Sequence, residues 1–243
     1  MEQYPTEAWN NRTVRLLGTE RAEILAHSSV LVVGLGGVGG YAAEMLVRTG
    51  VGNLTLVDAD NVAESNINRQ LIALRPNIGE SKTLLFAERF HEINPEAHIN
   101  TLRIYVEPAN IAGIFLERHY DYVIDAIDTV APKTALISHC QRNRIPVISS
   151  MGAGGRVDVT KIGYFDLWET REDGLARAVR QRLKREGLRR PLRVVASVEK
   201  PVSHSLLELD HANKRSSYGT IAPIPAIFGI YLANHVIRAL CRV

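Results

Sequence analysis

Apolar residues along this chain fall into two alternating patterns. Short continuous runs rich in β-branched residues are separated by longer stretches in which apolar side chains return at helical spacing. Residues 29–33, "SVLVV", predict a first strand. Residues 37–49 predict a helix, with Tyr41, Met45 and Leu46 on one face. "NLTLVDAD" predicts a second strand ending at Asp58. Residues 61–76 are polar and lack long periodicity, so they predict a loop with a short helical turn. Helix 81–93, a strand in "AHINTLRIYV", helix 110–118, a buried strand in "YDYVIDAID", helix 132–144 and a strand in "IPVISSMG" follow. Strands alternating with helices at such short intervals imply a Rossmann-like α/β fold, a largely parallel sheet covered by helices on both faces.

Past residue 155 the rhythm changes. A very basic helix is predicted over 173–187, then a strand in "LRVVAS", a polar loop, and an apolar stretch over 221–240. That last stretch approaches membrane-spanning length, but it has two prolines early and Asn234, His235 and Arg238 late. A buried amphipathic helix is the expected outcome, and a membrane-attached helix the alternative. The expected organisation is a single domain over 1–243. It has a helical extension at 1–28, a nucleotide-binding core at 29–155, and an extension of the same sheet at 156–243.

Composition narrows the picture only modestly. The 243 residues carry 46% hydrophobic and 23% charged side chains and a net charge of +3, which suits a soluble globular protein. Cys140 and Cys241 are the only cysteines, too few for a disulfide framework or a four-thiolate zinc site. The opening "MEQYPTEAWNNRTVR" has no apolar core, so no signal peptide is expected. With so few cysteines, a reducing, cytoplasmic setting is the expectation.

The candidate chemistry begins at "VLVVGLGGVGG". Gly34, Gly36 and Gly39 have the G-x-G-x-x-G spacing, with Gly37 between them. Glycines there let backbone amides approach phosphate oxygens, and the next helix offers its N-terminus to the same charge. Asp58 closes the second strand, where a carboxylate can bind ribose hydroxyls, and Asp60 follows it. These features suit NAD and ATP equally. The residues downstream favour ATP, because Asn68 and Arg69 come soon after and Lys82 opens the next helix. Two fixed cations match a triphosphate and its departing pyrophosphate better than a dinucleotide. Asp125 and Asp128 lie at the end of the fourth strand. Asp128 there either helps hold Mg²⁺ or caps the following helix, and Asp125 is the weaker metal candidate, with anchoring the loop as its alternative.

Together "VLVVGLGGVGGYAAEMLVRTGVGNLTLVDAD", "NINRQ", Lys82 and "VIDAID" resemble the E1-like adenylating superfamily of ThiF, MoeB and HesA proteins. "YDYVIDAIDTVAPKTALISHCQRNRIPVISSMGAGGRVDVTKI" and "YGTIAPIPAIFGI" are similar to one branch of it, the tRNA threonylcarbamoyladenosine dehydratases. The resemblance implies an ATP-dependent enzyme that cyclises threonylcarbamoyladenosine at position 37 of tRNA by activating its carboxylate. It implies Asp58 on the ribose, Arg69 and Lys82 on the phosphates, and Asp128 at a metal or catalytic position. It also implies an arginine sent from the N-terminal helix into a partner's site, which makes the active unit a homodimer. Arg15 suits that role best, with Arg12 the competitor. Sulfur-relay proteins such as a cysteine desulfurase are further possible partners, and no obligatory membrane partner is implied. Mg²⁺ is the expected ion, with a monovalent cation left open.

The chain also departs from activators of ubiquitin-like proteins. It has no paired CxxC motifs and no cysteine in the polar loop, so thioester transfer is not expected and adenylation alone fits better. An E1-like activator of a ubiquitin-fold sulfur carrier remains the alternative, and phosphorylation of the carboxylate remains open beside adenylation. Finally, Arg177, Arg180, Arg182, Lys184, Arg185, Arg189 and Arg190 crowd the basic helix and its exit. They are candidate contacts to an RNA backbone.

Overall fold

A computed structural model describes residues 9–116, 118–211 and 214–243, the side chains of 207–217 excepted. Two short helices, α1 (Asn11–Leu17) and α2 (Thr19–His27), precede β1 (Ser29–Val33). The alternating part continues with α3 (Gly39–Thr49), β2 (Asn53–Val57), α4 (Lys82–Ile93), β3 (His98–Leu102) and α5 (Ile111–Ile114). It ends with β4 (Tyr122–Asp125), α6 (Val130–Asn143) and β5 (Val147–Ser150). Then come β6 (Ile162–Asp166), α7 (Gly174–Arg185), β7 (Arg193–Ser197), β8 (Leu206–His211), β9 (Lys214–Tyr218) and α8 (Pro223–Cys241).

A seven-stranded sheet has the order β3-β2-β1-β4-β5-β7-β6. All its pairings are parallel except that of β6 with β7. The chain builds outward from β1 to β3, then returns to place β4 on the other side of β1. That reversal opens a crevice beyond the C-terminal tips of β1 and β4, where such sheets bind ligands. The continuous apolar runs follow from burial on both faces. Val30, Val32, Leu54, Leu56 and Ile124 face a core formed with α3, α4 and α8, which includes Phe86, Phe90, Phe228 and Leu232. Their neighbours Leu31, Val33, Val57 and Val123 face the opposite core, with Leu136 and Cys140 of α6. Farther along the sheet, Val194 and Ala196 meet Val179 and Leu183 of α7.

Two local expectations are corrected, and one strand has no counterpart in the sequence reading. The helix expected over 110–118 is the single turn α5, and residue 117 lies outside the described residues. The polar stretch before the last helix contains the antiparallel hairpin β8–β9. Its strands pair with each other and not with the main sheet, so no strong apolar run marks them. The strand β6 had no sequence signal of the alternating kind, because no helix separates it from β5.

The apolar stretch near the C-terminus is α8. It is long and apolar enough to cross a membrane by length and composition. In the fold, however, Ile224, Pro225, Phe228, Gly229, Leu232, Ala233 and Val236 form a buried stripe against the core. Its polar residues are bonded to the sheet: Asn234 Nδ2 donates to Tyr164 Oη at 3.1 Å, and His235 Nε2 lies 3.0 Å from Tyr122 Oη. Burial pushes the Tyr122 phenol up to about 12, so it stays protonated. At Gly229 the helix closes on α3 so tightly that a Cβ would sit 2.3 Å from Val38 O and 2.9 Å from Tyr41 Cβ. Gly229→Ala is therefore expected to cost about 1–3 kcal/mol through overpacking, measured by urea unfolding. A variant as stable as the parent would disprove that tight contact.

Candidate active site

The glycine loop is shaped by contacts that exclude side chains. Gly34 has φ +88° and donates its N–H to Val57 O at 2.8 Å, tying the turn to the tip of β2. A Cβ on Gly34 would lie 2.9 Å from Ala126 O, and one on Gly39 only 1.7 Å from Gly34 O. Neither position accepts alanine without moving backbone. Gly37 rests against Arg69 O and Pro225, each 3.2 Å from where its Cβ would be. Gly36 faces the side-chain amide of Gln70. The helix α3 starts at Gly39, so its first amides point to the rim of the crevice.

Asp58 stands at the end of β2. Its two carboxylate oxygens accept from Leu35 N at 2.7 Å and Asp60 N at 2.8 Å. Burial pushes this carboxyl above its ordinary value, against the opposing pull of the Lys82 ammonium and those two amides. Lys82 is buried, and its Nζ meets Asp60 Oδ2 at 2.9 Å, while Asp60 itself is exposed. Thus Asp58, Asp60 and Lys82 form one cluster beside the glycine loop, as the sequence implied.

Arg69 comes from the loop before α4 and is half-buried. Its guanidinium donates to Ser65 O at 2.7 Å and to Asn68 Oδ1 at 3.0 Å. Asn68 in turn donates to Thr220 O at 3.1 Å, so the segment entering α8 closes over this loop. Next to it, Gln70 is 8% exposed and its Oε1 has no hydrogen-bond partner. A buried polar atom without a partner, on a side chain whose amide nitrogen lies toward Gly36, fits a site completed by a polar ligand.

Two groups lie at the tip of β4. Asp125 is fully buried. Its Oδ2 accepts from Lys133 Nζ at 2.6 Å and from Ser149 Oγ at 2.6 Å, and Lys133 also donates to Ser149 at 3.0 Å. Its Oδ1 accepts from Ile127 N at 3.1 Å. Asp125 therefore anchors the loop and is unavailable to a metal. Asp128, one turn of loop farther, is exposed at the rim. It is not the cap of α6, whose N-cap residue is Thr129.

A family model for the ThiF family matches residues 10–243. The chain belongs to the ThiF family. This ThiF-family chain is 47% identical over 182 residues to the tRNA threonylcarbamoyladenosine dehydratase of Escherichia coli, covering 74% of this chain and 68% of that protein. It is 36% identical to the Bacillus subtilis enzyme of the same name, covering 96% and 94%. A crystal structure of the E. coli enzyme in complex with ATP superposes with a TM-score of 0.89 at 38% identity, over 99% of this chain and 98% of that one. Another of the same enzyme, with AMP, gives 0.87.

Other ThiF-family expectations divide. Arg15 is exposed on α1, a helix with no buried residue. On α7 and in the segment that follows it, two of the expected RNA contacts are used within the fold. Arg180 donates to Leu167 O, Thr170 O and Thr170 Oγ1, and Arg190 donates to Gln141 O at 2.7 Å. Arg182 lies 3.8 Å from Glu186. Arg177, Lys184, Arg185 and Arg189 are exposed and make no ion pair among the described residues. Cys140 is fully buried, and burial aided by Asp125 pushes its thiol up to about 12, so it is no nucleophile at neutral pH.

Sequence reasoning passed over Lys133 and Arg156. Both are cations whose partners come from distant segments. Arg156 is 2% exposed and donates to Gly152 O, Ser197 O, Glu199 O, Glu172 O and Asp173 Oδ2. It thereby ties the glycine-rich turn after β5 to the end of β7 and the start of α7. The Lys133–Asp125–Ser149 cluster does the same for β4 and β5. Lys133→Met leaves Asp125 buried without its cation, and a loss of about 3–5 kcal/mol is expected in urea unfolding. The triple replacement Lys133→Met, Asp125→Leu, Ser149→Ala should recover much of it. If the triple variant were no more stable than the single one, an uncompensated charge would not be the cause.

Proposed function

We propose that this chain dehydrates threonylcarbamoyladenosine in tRNA to its cyclic form, using ATP to activate the carboxylate. The observation that carries the reading is one rim holding the bare glycine loop, Asp58 and the cations Lys82 and Arg69. It belongs to a chain similar over nearly its whole length to an enzyme of that name crystallised with ATP and with AMP. In this reading Asp58 accepts the ribose hydroxyls, and the glycine-loop amides hold the phosphates. Arg69 and Lys82 turn from Asn68 and Asp60 to the triphosphate tail. The substrate carboxylate attacks the α-phosphate, the bond to the β-phosphate oxygen breaks, and pyrophosphate leaves. A nucleophile of the same modified base then attacks the acyl carbon and releases AMP and a proton. The water lost from the base is recovered as the oxygen carried on AMP.

The donor set suits Mg²⁺, which is held by one or two carboxylates together with substrate phosphates. Asp128 is the rim carboxylate placed to hold it, and the ion would neutralise the phosphates. No group of three or more metal-binding side chains occurs among the described residues, so the nucleotide itself must supply most of the oxygens. Arg15 reaches a second copy's site in a homodimer, which gives the uncovered α1 a partner surface. Arg177, Lys184, Arg185 and Arg189 lie along the path of the RNA backbone, and the setting is cytoplasmic. Sulfur-relay partners have no surface assigned to them here.

The test is nucleoside mass spectrometry of tRNA carrying the modified adenosine, incubated with protein, ATP and Mg²⁺. Loss of one water mass from that nucleoside is expected, with AMP formed in equal amount. Arg69→Ala should reduce the rate by at least about 100-fold, as for removal of one charge-stabilising donor. ATP consumption without loss of water, or ADP in place of AMP, would refute the proposed route.

A further inference from the structure

A cleft of about 560 Å³ lies along α7, lined by Trp168, Arg177, Arg180, Gln181, Lys184 and Arg189. That volume is within the usual range for sites that take small organic groups, about 300–1,000 Å³. None of the lining residues is a carboxylate. Arg177 with Arg180, and Arg180 with Lys184, are neighbours on one helical face, so like charges are stacked where they weaken the helix. Two acids at the ends of α7 are engaged elsewhere. Glu186 faces Arg142 and Arg182, and Asp173 is closed on Arg156.

Two planar groups in the cleft are fixed in advance. The indole of Trp168 donates from Nε1 to Arg190 O at 3.0 Å. The guanidinium of Arg180 is held by Leu167 O at 3.0 Å and Thr170 O at 3.1 Å. Around them, Arg177, Lys184 and Arg189 keep their charges for a ligand. A pre-oriented aromatic ring with cations on its margin is the combination that binds single-stranded nucleic acid. A base stacks on the ring, and its phosphates meet the cations.

We propose that this cleft receives an unpaired nucleotide of the RNA substrate, its base stacked on Trp168 and its flanking phosphates on Arg177, Lys184 and Arg189. The proposal rests on the tRNA reading above. The nucleotide is a different one from that being modified. The helix α7 begins beside the rim, where Gly152 N donates to Asp173 Oδ2 at 2.9 Å. Lys184 is ten residues beyond Gly174, about 15 Å down the helix. The cleft thus acts as a second grip that sets how the RNA crosses the rim.

The chain has two tryptophans, so Trp9→Phe leaves Trp168 as the only indole reporter. That variant is titrated with an anticodon stem-loop RNA, with AMP, and with inorganic phosphate, while RNA binding is followed separately by filter retention. Saturable quenching that tracks RNA binding is expected, with little response to AMP or phosphate at matched concentration. In the otherwise unaltered chain, Trp168→Leu should weaken RNA binding about tenfold, and Lys184→Glu should weaken it with a shallower salt dependence. Both should leave ATP binding unchanged. RNA retained on the filter with no change in indole emission would overturn the proposal. So would equal quenching by phosphate, which would mark an anion site only. If ATP binds but RNA is not retained at all, the tRNA reading itself fails, and this proposal fails with it.

Discussion

The rim depends on how closely the first turn of α3 approaches the tips of β1 and β4. Gly39 and Gly34 allow backbone to lie where a Cβ would be 1.7 Å from a carbonyl oxygen. Gly34 also lets the chain turn with φ +88° directly out of the strand. With α3 drawn in this far, Leu35 N reaches Asp58, and the loop amides line the crevice opened by the strand order. Apart from Lys82, which opens α4, the polar groups of the site are then placed by a strand tip or by a loop beside one. Asp58 follows β2, Asp128 follows β4, and Arg69 sits on a loop pressed against Gly37. A change that held α3 back would disperse charges that no other element brings together.

Beneath this surface lies a layer of buried ion pairs. Asp125 with Lys133, and Asp173 with Arg156, are removed from water, and each buried ion carries a large desolvation cost. Their contribution is geometric. Each charge collects several donors or acceptors from separate segments, so the loops after β4 and β5 are held in one arrangement before substrate arrives. That suits a site in which charge builds up on the phosphates during reaction, because donors already in place need no reorganisation. It also explains why apolar packing alone, present on both sheet faces, would be insufficient at the strand tips, where backbone polar groups must be satisfied.

The alternating half of the fold was legible in the sequence because two-sided burial produces continuous apolar runs, and β1 runs over 29–33 as expected. The glycine turn and its closeness to Asp58 were legible because a G-x-G-x-x-G run between a strand and a helix imposes that tight turn beside the tip of the next strand. The edge strand β6 and the hairpin β8–β9 were not. β6 is only partly buried along most of its length, and the hairpin pairs only with itself. Lys133 and Arg156 were equally hidden, since a lone cation in sequence looks solvated until distant acceptors such as Ser149 or Glu199 close around it. The basic helix shows the converse. Arg180 and Arg190 have the same sequence character as Lys184 and Arg189, but the fold uses the first two to hold carbonyl oxygens, while the other two make no ion pair among the described residues. Charge density predicted a basic face, and only packing set apart the cations that the fold itself uses.

The cysteines decide how an activated carboxyl group can be used. An acyl-adenylate must be captured by some nucleophile, and relatives that pass it to an enzyme thiol need that sulfur at the rim and partly ionised. Cys140 is on α6 within the core, with its thiol pushed up to about 12, and Cys241 is buried at the end of α8. Neither can reach the crevice without opening a core cluster. In the proposed reaction the acceptor therefore arrives with the substrate. An internal nucleophile on the same base meets that requirement, since it is tethered beside the carboxyl group and gains the effective concentration of an intramolecular reaction. The protein's task then reduces to holding ATP in line with that carboxylate and keeping the RNA in place until the ring has closed. A charged rim and a cationic flank, without a covalent relay between them, are suited to that task.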